Sequence, residues 1–128
     1  MPVTFDLRED GHVAYYTVTD PWTKDEFVAH YPLDIAHRTS VKYPVHWVLD
    51  FQGTGTMPPG ILRARDNSPL LLYPKTGDFL IVGGSYFVRT IAETILRLLR
   101  FNNGHFFRND TEAWVYLRTL LAKEKVAQ

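Results

Sequence analysis

The stretch with the clearest chemical potential is Val45-His46-Trp47-Val48-Leu49-Asp50-Phe51, followed at once by Gln52-Gly53-Thr54-Gly55-Thr56-Met57-Pro58-Pro59-Gly60. An acid near the end of a bulky apolar run, then a Gly/Thr/Pro loop, is the pattern of a central buried strand emptying at the rim of an α/β sheet. Ligands and partners of open α/β sheets meet the protein just beyond the carboxyl ends of such strands. Asp50 could serve there as a general base or a ligand contact. No partner of matching chemistry is evident, so a carboxylate held by nearby backbone N–H groups to shape the loop is the better account. Gly53-Thr54-Gly55 starts like a phosphate loop, but no Lys-Ser or Lys-Thr follows a glycine at the required spacing, and Gly60 misses the dinucleotide spacing. The loop reads as an exposed recognition surface or as a flexible turn where the strand must reverse.

Three other constellations carry less. Gly83-Gly84-Ser85-Tyr86-Phe87 lies between a strand and a helix, where a nucleophile elbow would sit, but Phe87 stands at the place of its last glycine. Ser85 reads as a helix cap, and Gly84 and Ser85 as a place where a phosphate or carboxylate could rest on the helix start. His30, Asp34 and His37 share a helix face at a metal-compatible spacing, but Pro32 interrupts that stretch, and solvated polar positions are the simpler reading. Arg97, Arg100 and Arg108, with Arg63 and Arg65 elsewhere, could form a basic patch for an anionic partner. Helix-end complementarity accounts for Arg97 and Arg100.

The elements that must hold these residues follow from periodicity. Val3, Phe5 and Leu7 alternate with polar residues and predict a half-buried strand, turned at Glu9-Asp10-Gly11 into a second strand over His12–Thr19. Thr23 and Glu26 form a capping box, with Trp22 and Phe27 placed as a hydrophobic staple and Trp22 half exposed. Pro32 breaks the helix near Tyr31. A short helix is expected over Gly60–Asp66, then a short segment at Leu70–Tyr73 and a turn at Pro74–Gly77. Asp78–Val82 is a buried strand. The longest helix runs from about Tyr86 to Arg100, with Phe87, Val88, Ile91, Ala92, Ile95, Leu98 and Leu99 facing inward. His105–Phe107 is a last strand, and Asn109-Asp110-Thr111-Glu112 opens a final helix with Ala113, Trp114, Leu117, Leu120 and Leu121 inward. The fold class is α/β: a mixed, mostly parallel sheet of about five strands with an N-terminal antiparallel hairpin, flanked by about four helices.

Composition narrows the function. The chain has 128 residues, enough for one domain, with 45% hydrophobic and 14% aromatic content to fill a core. Lysine plus arginine equal aspartate plus glutamate at 14 each, which argues against a nucleic-acid binder. Cysteine is absent, which excludes thiol nucleophiles, cysteine–zinc sites and disulfides and is compatible with the cytoplasm. No basic region followed by an apolar stretch opens the sequence, so no signal peptide is expected. No apolar run reaches the ~20 residues of a membrane span.

The passage Val48-Leu49-Asp50-Phe51-Gln52-Gly53, the Met-containing loop ending in Gly60, the strand Phe79–Val82 and the helix opening Thr111-Glu112-Ala113-Trp114 together resemble the STAS domain. This is the SpoIIAA-like fold of anti-sigma-factor antagonists and sulfate-transporter tails. The resemblance covers nearly the whole chain as one domain over 1–128. It implies a non-enzymatic regulatory role: binding a protein partner, or a nucleotide or lipid, without a cofactor. It also implies a contact surface at Asp50, Gly53, Thr54, Thr56, Met57, Pro58, Pro59, Gly60 and Arg63. In the antagonist branch the loop carries Asp-Ser-Ser-Gly with a phosphorylated second serine. That serine position here is a proline, which matches a branch without the phospho-switch. Two further possibilities are a small apolar or lipid-like ligand between helix and sheet, lined by Tyr15, Tyr16 and Tyr31, and a homodimer through an unpaired hairpin edge.

Overall fold

The computed structural model describes residues 2–55, 76–98 and 100–127. The element order is β1 (Val3–Arg8), β2 (Val13–Thr19), α1 (Lys24–Val28), α2 (Tyr31–Ser40), β3 (Val45–Gly53), β4 (Thr76–Gly83), α3 (Tyr86–Leu98), β5 (Gly104–Phe107) and α4 (Asp110–Ala127). The five strands form one sheet in sequence order. β1 pairs antiparallel with β2, and every later pairing is parallel. The mixed α/β sheet with its leading hairpin is thus present. The helix expected over Gly60–Asp66, the Leu70–Tyr73 segment, Leu99 and the first half of the Pro74–Gly77 turn lie outside the described residues, while Thr76 and Gly77 already belong to β4.

Alternation along each strand sorts side chains to two faces. Ala14, Tyr16 and Val18 of β2, Val45, Trp47, Leu49 and Phe51 of β3, and Phe79 and Ile81 of β4 join Phe27, Tyr31, Val88, Ala92 and Leu96 in one core under α1, α2 and α3. Val13 and Tyr15, Val48, and Leu80 and Val82 point the other way, where Ala113 and Leu117 of α4 cover them. β3 is buried over its first seven residues, with α4 the described helix on that face.

Local signals set the boundaries. Thr23 caps α1, its Oγ1 accepting from Glu26 N at 3.1 Å. The helix breaks at Ala29 and His30, and Pro32 then sits in the first turn of α2, where its missing N–H costs nothing. α2 runs from Tyr31 through Pro32 to Ser40. In the hairpin turn Glu9 and Asp10 take positive φ (54° and 56°) as well as Gly11 (88°).

Three expectations of burial are corrected. Leu7 is exposed, at 41%, although it shares the strand face of buried Val3. Trp22 is buried rather than half exposed, since the end of β3 folds over it. On α3 only Val88, Ala92 and Leu96 are buried, while Phe87 is 58% and Leu98 60% exposed. The apolar stripe of α3 is wider than the part of the sheet it covers.

Candidate functional site

Because β2, β3 and β4 are parallel, their carboxyl ends share one edge, and three loop starts meet there. Asp50, near the end of β3 on the α4 face, is 7% exposed. Its Oδ1 accepts from the backbone N–H of Gln52 at 2.9 Å, and its Oδ2 from the Tyr15 hydroxyl at 2.6 Å. The Gln52 side-chain amide lies 3.1 Å from both oxygens. A carboxylate so supplied with donors fixes the strand exit instead of standing free to take a proton. Burial, then the bond to Asp50 and its charge, push the Tyr15 phenol above its ordinary range. The Arg8 guanidinium lies 3.8 Å from the centre of the Tyr15 ring, and Trp114 stacks parallel to that ring at 6.0 Å.

Thr54 sits one step further along. Its hydroxyl donates to Asp20, at the end of β2, and accepts from Trp22 Nε1 at 3.2 Å. With 7% exposure, Thr54 is an internal tie between two strand ends. Asp20 also accepts from the Gly55 N–H at 3.4 Å. Gly53 packs against Thr19, where a Cβ would come within 2.8 Å of the Thr19 methyl.

The third loop start follows β4. Gly84 has φ 88°, a conformation that L side chains rarely adopt, and the turn delivers Ser85 to the head of α3. Ser85 Oγ accepts from Val88 N at 3.2 Å and donates to Gly55 O at 3.3 Å, so it caps the helix and ties it to the β3 loop. Tyr86 follows, 88% exposed, beside Phe87. Sequence reasoning missed this aromatic pair by placing Phe87 inward. It missed Asp20 too, whose role depends on a contact 34 residues along the chain.

Asp50, Gly53, Thr54, Gly84 and Ser85 are thus brought to one edge. Thr56, Met57, Pro58, Pro59, Gly60 and Arg63 lie outside the described residues.

His30, Asp34 and His37 are sent to separate partners. His30 Nε2 meets Val3 O at 3.0 Å and His37 Nε2 meets Gly11 O at 2.7 Å. Asp34 is wholly buried, bound to Arg38 Nε at 2.6 Å and to the Tyr16 hydroxyl at 2.7 Å. Among the described residues, no three histidine or acidic side chains gather as a metal site. No described helix is long and apolar enough to cross a membrane.

A second polar cluster lies at the opposite edge under α4. Asp78 accepts from Tyr116 and faces His105 Nε2 at 3.1 Å, while the Tyr116 hydroxyl is 3.1 Å from the same nitrogen. Burial, then Asp78, push the Tyr116 phenol up to about 12. Nearby, His46 Nδ1 accepts from Asp78 N at 2.9 Å, which leaves the ring proton on Nε2, 2.7 Å from Glu124.

No protein-family model, curated protein or solved structure matches this chain.

Proposed function

We propose that the domain is a non-enzymatic regulatory module that binds a protein partner through the carboxyl edge of its sheet. The contact surface is the β3 exit and loop 52–60 together with the head of α3. This keeps the reading suggested by the likeness to STAS domains and extends it to α3.

The observation that carries it is the exposure of Tyr86 and Phe87, 88% and 58%, beside a strand exit held by hydrogen bonds. Adjacent exposed aromatics on a fixed support are suited to anchoring a partner, because they offer large contact area at small cost in conformational freedom. The polar groups at this edge favour contact over bond-making: Asp50, Thr54 and Ser85 each already serve the strand exits. A ligand between helix and sheet has less support. The described space beside Tyr16 and Tyr31 is filled by Phe27 and Trp47 in ring contact with them.

A photoreactive residue at position 86 should crosslink one protein in cell extract, and the same group at exposed Thr119 of α4 should not. That protein, purified, should bind Phe87→Asp about tenfold more weakly than wild type or worse. Equal binding by a folded Phe87→Asp variant would remove α3 from the contact, and Met57→Asp would then test the loop alone.

A further inference from the structure

The two edges of the sheet are not alike. β5 is only four residues long, and so short an edge strand gives an incoming strand little to pair with. β1 has six residues, keeps one unbroken register with β2 and carries neither proline nor lysine between Val3 and Arg8. Among the described residues no strand lies beyond it. An edge of this kind is a template for another strand unless something blunts it.

The ladder decides which of its groups face out. Thr19 N donates to Pro2 O at 2.8 Å, so alternation gives the inward bonds to Pro2, Thr4, Asp6 and Arg8. Val3, Phe5 and Leu7 therefore turn N–H and C=O away from β2. Val3 O fits this direction, since it accepts from His30 Nε2 at 3.0 Å. Among the described residues nothing bonds to the outward N–H or C=O of Phe5 or Leu7. The Leu7 side chain, on the same face as Val3 and Phe5, is 41% exposed.

We propose that β1 pairs antiparallel with β1 of a second copy of this chain, about a two-fold axis at Phe5. The strand is self-complementary in that register. Phe5 exchanges N–H···O bonds with its counterpart, and Val3 does so with Leu7, using the second lone pair of Val3 O. On the apolar face Leu7 meets Val3 of the second copy directly and Phe5 diagonally, which covers it. On the other face Asp6 falls opposite the exposed Thr4, whose hydroxyl is a donor for the carboxylate. An axis at Asp6 would instead set two carboxylates against each other. The Asp6–Arg8 ion pair at 3.1 Å leaves the strand without net charge, and the chain has none either, so two copies approach without repulsion. Such a contact is closed by its own symmetry, which favours a second copy over a foreign strand.

Sedimentation equilibrium of the whole protein should show the mass rising from one chain to two with concentration. Leu7→Lys, at a position exposed in the single chain, should raise the dimer dissociation constant about tenfold or more and leave urea unfolding of the dilute protein unchanged. The chain has no cysteine, so introduced thiols report the register. Opposite residues that exchange no hydrogen bonds have Cα atoms about 4.5 Å apart, within the reach of a disulfide. Mild oxidation of mixed Thr4→Cys and Asp6→Cys proteins should give the mixed disulfide faster than either variant alone gives its own. The proposal is overturned by a single-chain mass at every concentration, by Leu7→Lys dimerising as tightly as wild type, or by Asp6→Cys crosslinking to itself as fast as to Thr4→Cys.

Discussion

On the face covered by α1, α2 and α3, ring touches ring without a break. The series runs from Trp22 through Phe27, Tyr31, Trp47 and Phe79 to Phe101.

 Trp47 stands at its middle, touching Tyr16 as well. The face covered by α4 is built differently. Its apolar contact centres on Ala113 and Leu117 against Val13, Val48, Leu80 and Val82. Toward the strand ends the same face turns polar, with Asp50 and Tyr15 at one edge and His46, Asp78 and His105 at the other. Burial of rings is non-directional and holds a layer wherever it packs, whereas hydrogen bonds fix position and register. So the first face supplies most of the cohesion, and the second places α4 on the sheet.

Substitutions can break this contrast. Trp47→Ala should cost about 3–5 kcal/mol in urea-induced unfolding, since it empties the centre of the ring series. The buried pair on the same face should be nearly as sensitive. Asp34→Ala leaves Arg38 wholly buried without its carboxylate and should cost about 3–5 kcal/mol. Replacing both, as Asp34→Leu with Arg38→Met, should recover much of that loss, because the cost lies in the unpaired charge. If the double variant is no more stable than Asp34→Ala, then the bonds from Arg38 to Val45 O and Thr76 matter more than the pair. On the other face Tyr116→Phe removes one hydroxyl bonded to Asp78 and should cost only about 1 kcal/mol. Hydrogen exchange should show that loss as easier opening of α4, with β3 amides little changed.

The same contrast explains what could be read from the chain. Thr23 as a cap, a helix break just ahead of Pro32 and a strand over Val45–Phe51 are decided by residues close in sequence, and each was legible. So was the loop-shaping role of Asp50, whose backbone donor is only two residues away at Gln52. Contacts that depend on strand register were not legible. Glu124 meets His46 across 78 residues, and Tyr116 meets Asp78 across 38, so no local pattern marks them. Periodicity also identified the apolar stripe of α3 without showing how much of it the sheet would cover, which is why Phe87 was placed inward. Trp22 was misjudged for a related reason: its burial depends on Thr54 arriving from the end of β3.

The smallest effect is also the most selective test of how α4 is attached. Tyr116 is held protonated in the folded state up to about 12, against an ordinary value of 10. Between these pH values the unfolded chain has released a proton that the folded chain still binds, so stability must fall as pH rises. The contribution from Tyr116 is complete below pH 10 and lost above about 12. Tyr15 and Tyr16, whose phenols are also raised by burial and neighbouring carboxylates, add to the fall in the same direction. The useful measurement is therefore the difference between wild type and Tyr116→Phe, followed by urea unfolding across this range. The variant should lose stability less steeply, and the two curves should converge at the alkaline end. Parallel curves would mean that the phenol is not held by Asp78, which would shift the weight of the polar attachment of α4 at this edge to His46 and Glu124.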